Sequence, residues 1–284
     1  MGVGVVKPGI TLYFLVVWIG FYAAQTEAQP LPRPDHIVII IEENKSYAQI
    51  VGNKDAPYIN ALARRGALFT QSYGVAHPSQ PNYLALFSGS TRGITNNACP
   101  LELNGANLAE ILAGKGLSFV SYAESMPQAG FGGCMHGAYY RKHNPVANWK
   151  ELTRLNQPFS AFPRDFARLP TVAFVIPDQL SDMHDGSIAQ GDAWLAKNME
   201  PYARWAMTHN SLMIVTWDED DGTADNRIAT ILVGAMVKPG NNTQHISHYN
   251  LLRTIEEMYR LPYVGESAQA GSVGGVWINK ERKK

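Results

Sequence analysis

The sequence predicts an α/β fold built on a mostly parallel sheet with helices on both faces, and three observations carry that expectation. Two apolar runs show no alternation: Ile37 to Ile41 after His36, and Ser211 to Thr216. Runs of this kind read as strands covered on both faces, as in the middle of a parallel sheet. Strand-like and helix-like segments then alternate along the chain, as βαβ units require. Finally, the runs end abruptly in polar, mostly acidic residues, and in open α/β sheets ligands sit beyond the carboxyl ends of the strands.

Taken in order, His36 to Ile41 is the first strand and stops at Glu42-Glu43-Asn44. Tyr58 to Arg65 reads as a helix stopped by Gly66, and Ala67 to Thr70 as a short strand leading toward His77-Pro78-Ser79-Gln80-Pro81-Asn82. In the next residues, Tyr83/Leu84 and Leu86/Phe87 share a helical face, and Ser88-Gly89 ends it. Pro81 fits only the first turn of such a helix, because its missing N–H is not needed there. Ser79 therefore stands at or just before a helix N-terminus, where free amides and the dipole favour an anion. An ordinary Ser N-cap is the competing reading. Asn107 to Ala113 is a helix and Leu117 to Tyr122 a strand, ending at Glu124.

Met126 to Pro163 is rich in Gly, Pro, Asn, Tyr and His and reads as a long excursion over the mouth of the site. Regular alternation then resumes. Thr171 to Ile176 is a strand ending in Pro177-Asp178 and the loop Ser181-Asp182-Met183-His184-Asp185-Gly186. Asp192 to Thr208 is an amphipathic helix, Ser211 to Thr216 a buried strand, Ile228 to Gly234 another strand, and His248 to Tyr259 a final helix. No internal repeat is present. Glu266 to Gly275, rich in Gly, Ser and Ala, reads as flexible, so residues 266–284 are expected to form a C-terminal tail.

The 284 residues, 45% of them hydrophobic, suffice for one large core. Formal net charge is zero, so no global field favours nucleic acid. Lys7 precedes an apolar run from Ile10 to Ala24, and Thr26-Glu27-Ala28 offers small residues for cleavage. That is the layout of a secretory signal peptide over residues 1–28, leaving a catalytic domain over 29–265. The run is short for a bilayer-spanning helix, so a permanent anchor is the lesser reading and no stable membrane insertion is expected after cleavage. The expected location is secreted or periplasmic. Two cysteines, Cys99 and Cys134, read as a disulfide in an exported protein, the alternative being two separately buried thiols.

Carboxylates converging from several strand ends repel one another unless a cation or proton intervenes. A divalent ion is the natural solution, and the donors nearest the strand ends, carboxylates and an amide oxygen, suit Mg²⁺, Ca²⁺ or Mn²⁺. Asp220 and Asp221 beside Gly222 read instead as a turn. His184 is a candidate proton donor, being able to change charge near neutral pH. His36, His136, His143 and His209 read as structural or surface residues, and Trp194, Trp205 and Trp217 as packing.

With those residues in view, the chain resembles the phosphoesterase family of bacterial acid phosphatases and phospholipases C, within the alkaline phosphatase superfamily. The matching pieces are Ile37 to Asn44, His77 to Tyr83, Asp182 to Gly186, Thr216 to Glu219, and His248-Tyr249 leading into Leu251 to Glu256. They run in family order across nearly the whole chain after residue 28. Within the family the likeness is greatest to the compact secreted acid phosphatases and phosphatidylinositol-3-phosphatases. The resemblance implies a three-layer α/β/α sandwich and a metal held by Glu43, Asn44, Asp218 and Glu219, with Ser79 as nucleophile on the same ion. It implies that His184 and His248 either hold a second metal or bind and protonate the phosphate. His77, Asn82 and Asp185 are expected at the substrate. The partner is then a phosphate ester, with a phosphoinositide headgroup as one candidate. Rival readings are a phospholipase C-type diesterase and a non-catalytic exported protein that binds phosphate esters.

Overall fold

The computed structural model describes residues 1–5, 30–223 and 225–278. The signal-peptide reading falls almost wholly on residues 6–29, outside the described ones. The chain divides into a unit Met1–Pro30 and a unit Leu31–Lys284, and the second carries every helix and strand among the described residues.

The first strand, β1 (His36–Glu42), is followed by α1 (Tyr47–Ile50), α2 (Pro57–Arg65), β2 (Ala67–Tyr73), α3 (Ser79–Ser88), α4 (Leu108–Ala113) and β3 (Phe119–Ala123). A small hairpin, β4 (Met135–His136) and β5 (Tyr139–Tyr140), then leads through short 3-10 turns to β6 (Asn156–Pro158). The chain closes with β7 (Val172–Ile176), α5 (Ile188–Ala206), β8 (Ser211–Trp217), β9 (Arg227–Val233), β10 (Gly240–Asn242), β11 (Ile246–Ser247) and α6 (His248–Tyr259). Among the described residues, the main sheet runs in the order β10-β2-β9-β8-β1-β7-β3-β6, with β11 also on β2. β1 lies between β7 and β8, parallel to both.

Side-chain alternation on β1 shows the three layers directly. Ile37, Ile39 and Ile41 join one core with residues of α3, α4 and α6, while Val38 and Ile40 join another with residues of α2 and α5. A strand buried on both faces has no reason to alternate apolar with polar residues, and β1 does not. Phe87, two turns along α3 from Ser79, packs its ring against Trp149, Phe119 and Phe174, with centroids 5.2, 5.3 and 5.9 Å away. Burying such rings contributes roughly 1.5–3 kcal/mol each and fixes α3 on the sheet. Gly89 ends α3 in the left-handed region at φ 66°, and a Cβ there would meet the Val264 carbonyl oxygen at 1.9 Å.

The structure refines two readings and changes a third. The segment Ile228 to Gly234 is a strand, but β9 runs antiparallel to both β8 and β2. Only nine residues separate Trp217 from Arg227, too few for the crossover of a dozen or more that a parallel pair needs. The excursion Met126 to Pro163 is a packed wall, with Tyr139, Val146 and Trp149 in the core and β6 parallel to β3. Its Cys134 is joined to Cys99 in a disulfide.

The flexible-tail reading does not hold for residues 266–278, because their few apolar side chains find the core. Val273 and Val276 are buried, and Trp277 bridges to Val237. Residues 279–284 lie outside the described ones.

Glu256 anchors this closing segment. It is buried, and its carboxylate accepts from the Val264 amide at 2.9 Å and the Ser267 hydroxyl at 2.7 Å. Burial pushes its pKa up to about 7, against the donors that favour the charged form. A folded-state pKa above the unfolded value means that the contribution is fully present below the unfolded pKa and is lost as pH rises through about 7. Glu256→Gln should therefore remove up to about 3 kcal/mol of the stability decline between pH 5 and 8. Thermal melts at the two pH values check this, and an unchanged difference between them contradicts it.

Candidate active site

Three adjacent parallel strands end at one place. β1 delivers Glu43 and Asn44, β8 delivers Asp218 and Glu219, and the loop after β7 delivers Asp182 and His184. β2 leads into the loop that places Ser79 in the first turn of α3. Pro78, not Ser79, holds the N-cap position, so the Ser79 side chain is not needed to cap the helix.

Its hydroxyl turns instead to the acidic floor. Ser79 Oγ lies 2.9 Å from Glu43 Oε2, 3.1 Å from Glu219 Oε1 and 3.5 Å from Asn44 Oδ1. One hydroxyl proton cannot serve three acceptors. The amide of Asn44 sharpens the conflict, since its side-chain oxygen faces both carboxylate oxygens at 3.1 Å. Turning the amide over makes both contacts hydrogen bonds, whereas leaving it gives a convergent set of oxygens suited to a cation. Asp218 Oδ1 accepts from the Asn44 main-chain N–H at 3.2 Å, while its Oδ2 is buried without a partner.

The electrostatics agree. Burial, followed by repulsion from Asp182, pushes Glu43 well above the ordinary carboxylate range, with Tyr83, Lys142 and Ser79 acting the other way. Burial and the charges of Glu43 and Glu219 do the same to Asp218. Burial raises Glu219, eased by His77 and Ser79. Crowded, desolvated oxygen donors with an orphaned carboxylate oxygen fit a hard divalent ion.

A second group adjoins the first through Glu43. Glu43 Oε1 accepts from the Tyr83 hydroxyl at 2.5 Å and lies 3.1 Å from His143 Nε2. His143 Nδ1 is 3.2 Å from Asp182 Oδ2. Ligand atoms of Glu43, His143 and His184 all lie within 4.8 Å of one another, the spacing of a metal site with mixed nitrogen and oxygen donors. Burial, then Lys142 and the other imidazole, holds His143 well below the ordinary histidine range, which keeps it neutral as a ligand must be.

His143 is the residue that sequence reasoning missed, having read it as structural or surface. It sits in the Gly- and Pro-rich excursion, just after the two-residue strand β5, which no apolar run in the sequence announces. The available signal was Tyr139, Val146 and Trp149 around it, apolar enough to pull that stretch inward.

The remaining predicted residues divide. His184 is at the rim, its Nδ1 2.8 Å from Asp185 Oδ1 and its Nε2 3.1 Å from Lys142 Nζ. Asp185, with 54% of its side chain exposed, thus orients His184. His77 contacts Glu219 through Nδ1 and lies 3.4 Å from Asp220 Oδ1 through Nε2, so it steadies the carboxylates at the open side. Asp220 accepts from the Gly222 and Asn226 amides, as its turn reading implies.

Two residues do not face the opening. Asn82 is buried, its Oδ1 accepting from the Val75 and Ala76 amides and its Nδ2 donating to the Ala76 carbonyl, so it ties the loop before Ser79. His248 is buried as well, with Nε2 2.6 Å from the Asp218 carbonyl oxygen. Burial pushes its pKa down to about 4. It fixes the main chain of the Asp218 loop and is no proton donor at the opening.

Fold and site together define a hydrolase of phosphate esters, with a seryl hydroxyl over an acidic floor at the carboxyl edge of a parallel sheet. The chain belongs to the Phosphoesterase family, whose model matches residues 53–262 and so begins just after Glu43 and Asn44. It is 49% identical over 269 residues to a phosphatidylinositol-3-phosphatase of Mycobacterium tuberculosis, a match covering 93% of this chain and 90% of that one. It is 30% identical over 260 residues to an acid phosphatase of Aspergillus fumigatus, covering 84% of this chain and 58% of that one. Among solved structures, an alkaline phosphatase superfamily protein from Vibrio parahaemolyticus shares the fold. Its TM-score is 0.58 at 12% identity, over 85% of this chain and 71% of that one. The chain is therefore a phosphatase, an enzyme of the phosphoric monoester hydrolase class.

Proposed function

We propose that the protein is a secreted, metal-dependent phosphomonoesterase that works through a phosphoserine on Ser79 and accepts phosphatidylinositol 3-phosphate. The observation that carries the reading is the contact of Ser79 Oγ with Glu43 and Glu219, two carboxylates from different strands. Glu43, Asn44, Asp218, Glu219 and Ser79 would hold a divalent ion, which supplies positive charge to acidify the hydroxyl and steady the charge that develops on phosphate oxygens.

Ser79 Oγ passes its proton to the Glu43 or Glu219 carboxylate it touches and forms the new bond to phosphorus as the ester P–O bond breaks, and the departing alkoxide takes a proton at the rim. At the rim His184, oriented by Asp185 and with its pKa lowered chiefly by burial, accepts from the Lys142 ammonium through Nε2, so the Lys142–His184 pair is the group placed to deliver that proton. Water then hydrolyses the phosphoserine and releases inorganic phosphate. Glu43, His143 and His184 could hold a second ion, in which case His184 acts as a ligand and water serves as the acid.

Preference for a monoester rests on charge. Lys142 brings a cation to His184 and His143, and a dianionic monoester gains more from it than a monoanionic diester. A phosphoinositide substrate is supported by the 49% identity to the mycobacterial enzyme. Export is supported by the N-terminal apolar run and the Cys99–Cys134 disulfide. Among the described residues, no helix is long and apolar enough to cross a membrane.

Comparing p-nitrophenyl phosphate with its bis-ester tests the class of reaction. The monoester should be favoured at least ~100-fold in kcat/KM. Equal rates, or a preference for the bis-ester, would instead identify a diesterase. Release of phosphate from vesicles containing phosphatidylinositol 3-phosphate tests the substrate, and no release above that from carrier vesicles removes it.

A further inference from the structure

The wall between the disulfide and β6 encloses a cavity of about 180 Å³, lined by none of the serine-site residues. Arg141, a buried residue, lines it. Nε donates to Asn148 Oδ1 at 3.1 Å, and the terminal nitrogens donate to the Gly132 and Leu101 carbonyls at 2.6 Å each. A guanidinium carries about five N–H donors, so these three bonds leave it with N–H groups to spare. Among the described residues, Arg141 makes no ion pair with a carboxylate. Burial holds its pKa below the usual arginine range.

Asn148 lines the same cavity. With Oδ1 engaged by Arg141, its orientation is set, and the buried Nδ2 has no partner. An unpaired buried donor costs about 1–3 kcal/mol, and a buried charge without a counter-ion costs more. At the rim, exposed Lys150 faces the same space, as does exposed Glu102. Two cations thus outnumber one carboxylate. A water molecule would satisfy Asn148 but add no charge opposite Arg141 and Lys150, which Glu102 alone offsets in part, whereas an oxyanion does both.

We propose that this cavity is a second anion site, separate from the serine centre, that takes a small oxyanion, with inorganic phosphate, the product of the reaction, as its ligand. Phosphate oxygens would accept from the unspent guanidinium N–H groups and from Asn148 Nδ2, with Lys150 adding charge at the opening. The proposal goes beyond the assigned reaction and does not depend on which residue is the nucleophile.

Equilibrium dialysis of the holoenzyme against radiolabelled inorganic phosphate tests it. The wild-type protein should bind two phosphates per chain and Asn148→Leu one, with its kcat on p-nitrophenyl phosphate within about twofold of wild type. Exposed Lys150→Glu, which leaves the buried wall intact, should weaken the second event at least about tenfold and leave the first unchanged. This second variant keeps the test decisive if Asn148→Leu does not fold. A single binding event in the wild-type protein, or a second event unaltered in Lys150→Glu, overturns the proposal.

Discussion

Ser79→Ala should lower kcat at least ~10³-fold while the protein stays folded. Among the described residues, this hydroxyl is the one nucleophile in contact with both Glu43 and Glu219, so nothing else at this position can take the phosphoryl group. The cost in stability should be small. Removing the oxygen deletes one donor between two carboxylates and leaves Pro78 as the cap of α3. A lost buried hydrogen bond is worth about 1–3 kcal/mol, and fewer competing oxygens on the floor offset part of it. Steady-state rates alongside thermal melts check this. Turnover within tenfold of wild type would remove Ser79 from the mechanism, and a variant that melts far lower would make the loss of rate a folding effect.

Stripping divalent ions should abolish turnover and lower the melting temperature together. Glu43, Asp182, Asp218 and Glu219 all have their carboxyl groups held above the ordinary range, chiefly by burial, and in Glu43, Asp182 and Asp218 a neighbouring carboxylate adds to it. A bound cation reverses that repulsion, so its removal restores an unfavourable cluster. At an ion concentration 100 times Kd the folded state gains about 2.7 kcal/mol, several degrees in Tm for a chain of this size. Adding back Mg²⁺, Ca²⁺ or Mn²⁺ should restore both properties, in an order that reports the preferred ion. Full activity after exhaustive chelation would contradict metal dependence.

Much of this is legible in the sequence, and the reasons differ by element. β1 and β8 announce themselves because a strand covered on both faces needs an unbroken apolar run. The acidic residues ending those runs can only lie at the carboxyl edge of the sheet. Ser79 was legible through Pro81, which fixes where α3 begins.

Contacts made across the fold were not legible. Nothing local to His248 says that its ring will be spent on the Asp218 carbonyl, or that Asn82 will be saturated by its own loop. His143 was hidden because its position depends on how an irregular wall packs, which periodicity does not encode. The closing segment was misread from composition, although Val273, Val276 and Trp277 were the better guide. The antiparallel course of β9 could have been read from the short link before it.

The most direct measurement is the anomalous scattering of a Mn²⁺-loaded crystal. The account predicts a peak within ~2–2.6 Å of Ser79 Oγ and of oxygens from Glu43 and Glu219. A fully active protein whose only peak lies on His143 and His184, with the Ser79 hydroxyl more than ~4 Å away, would contradict it.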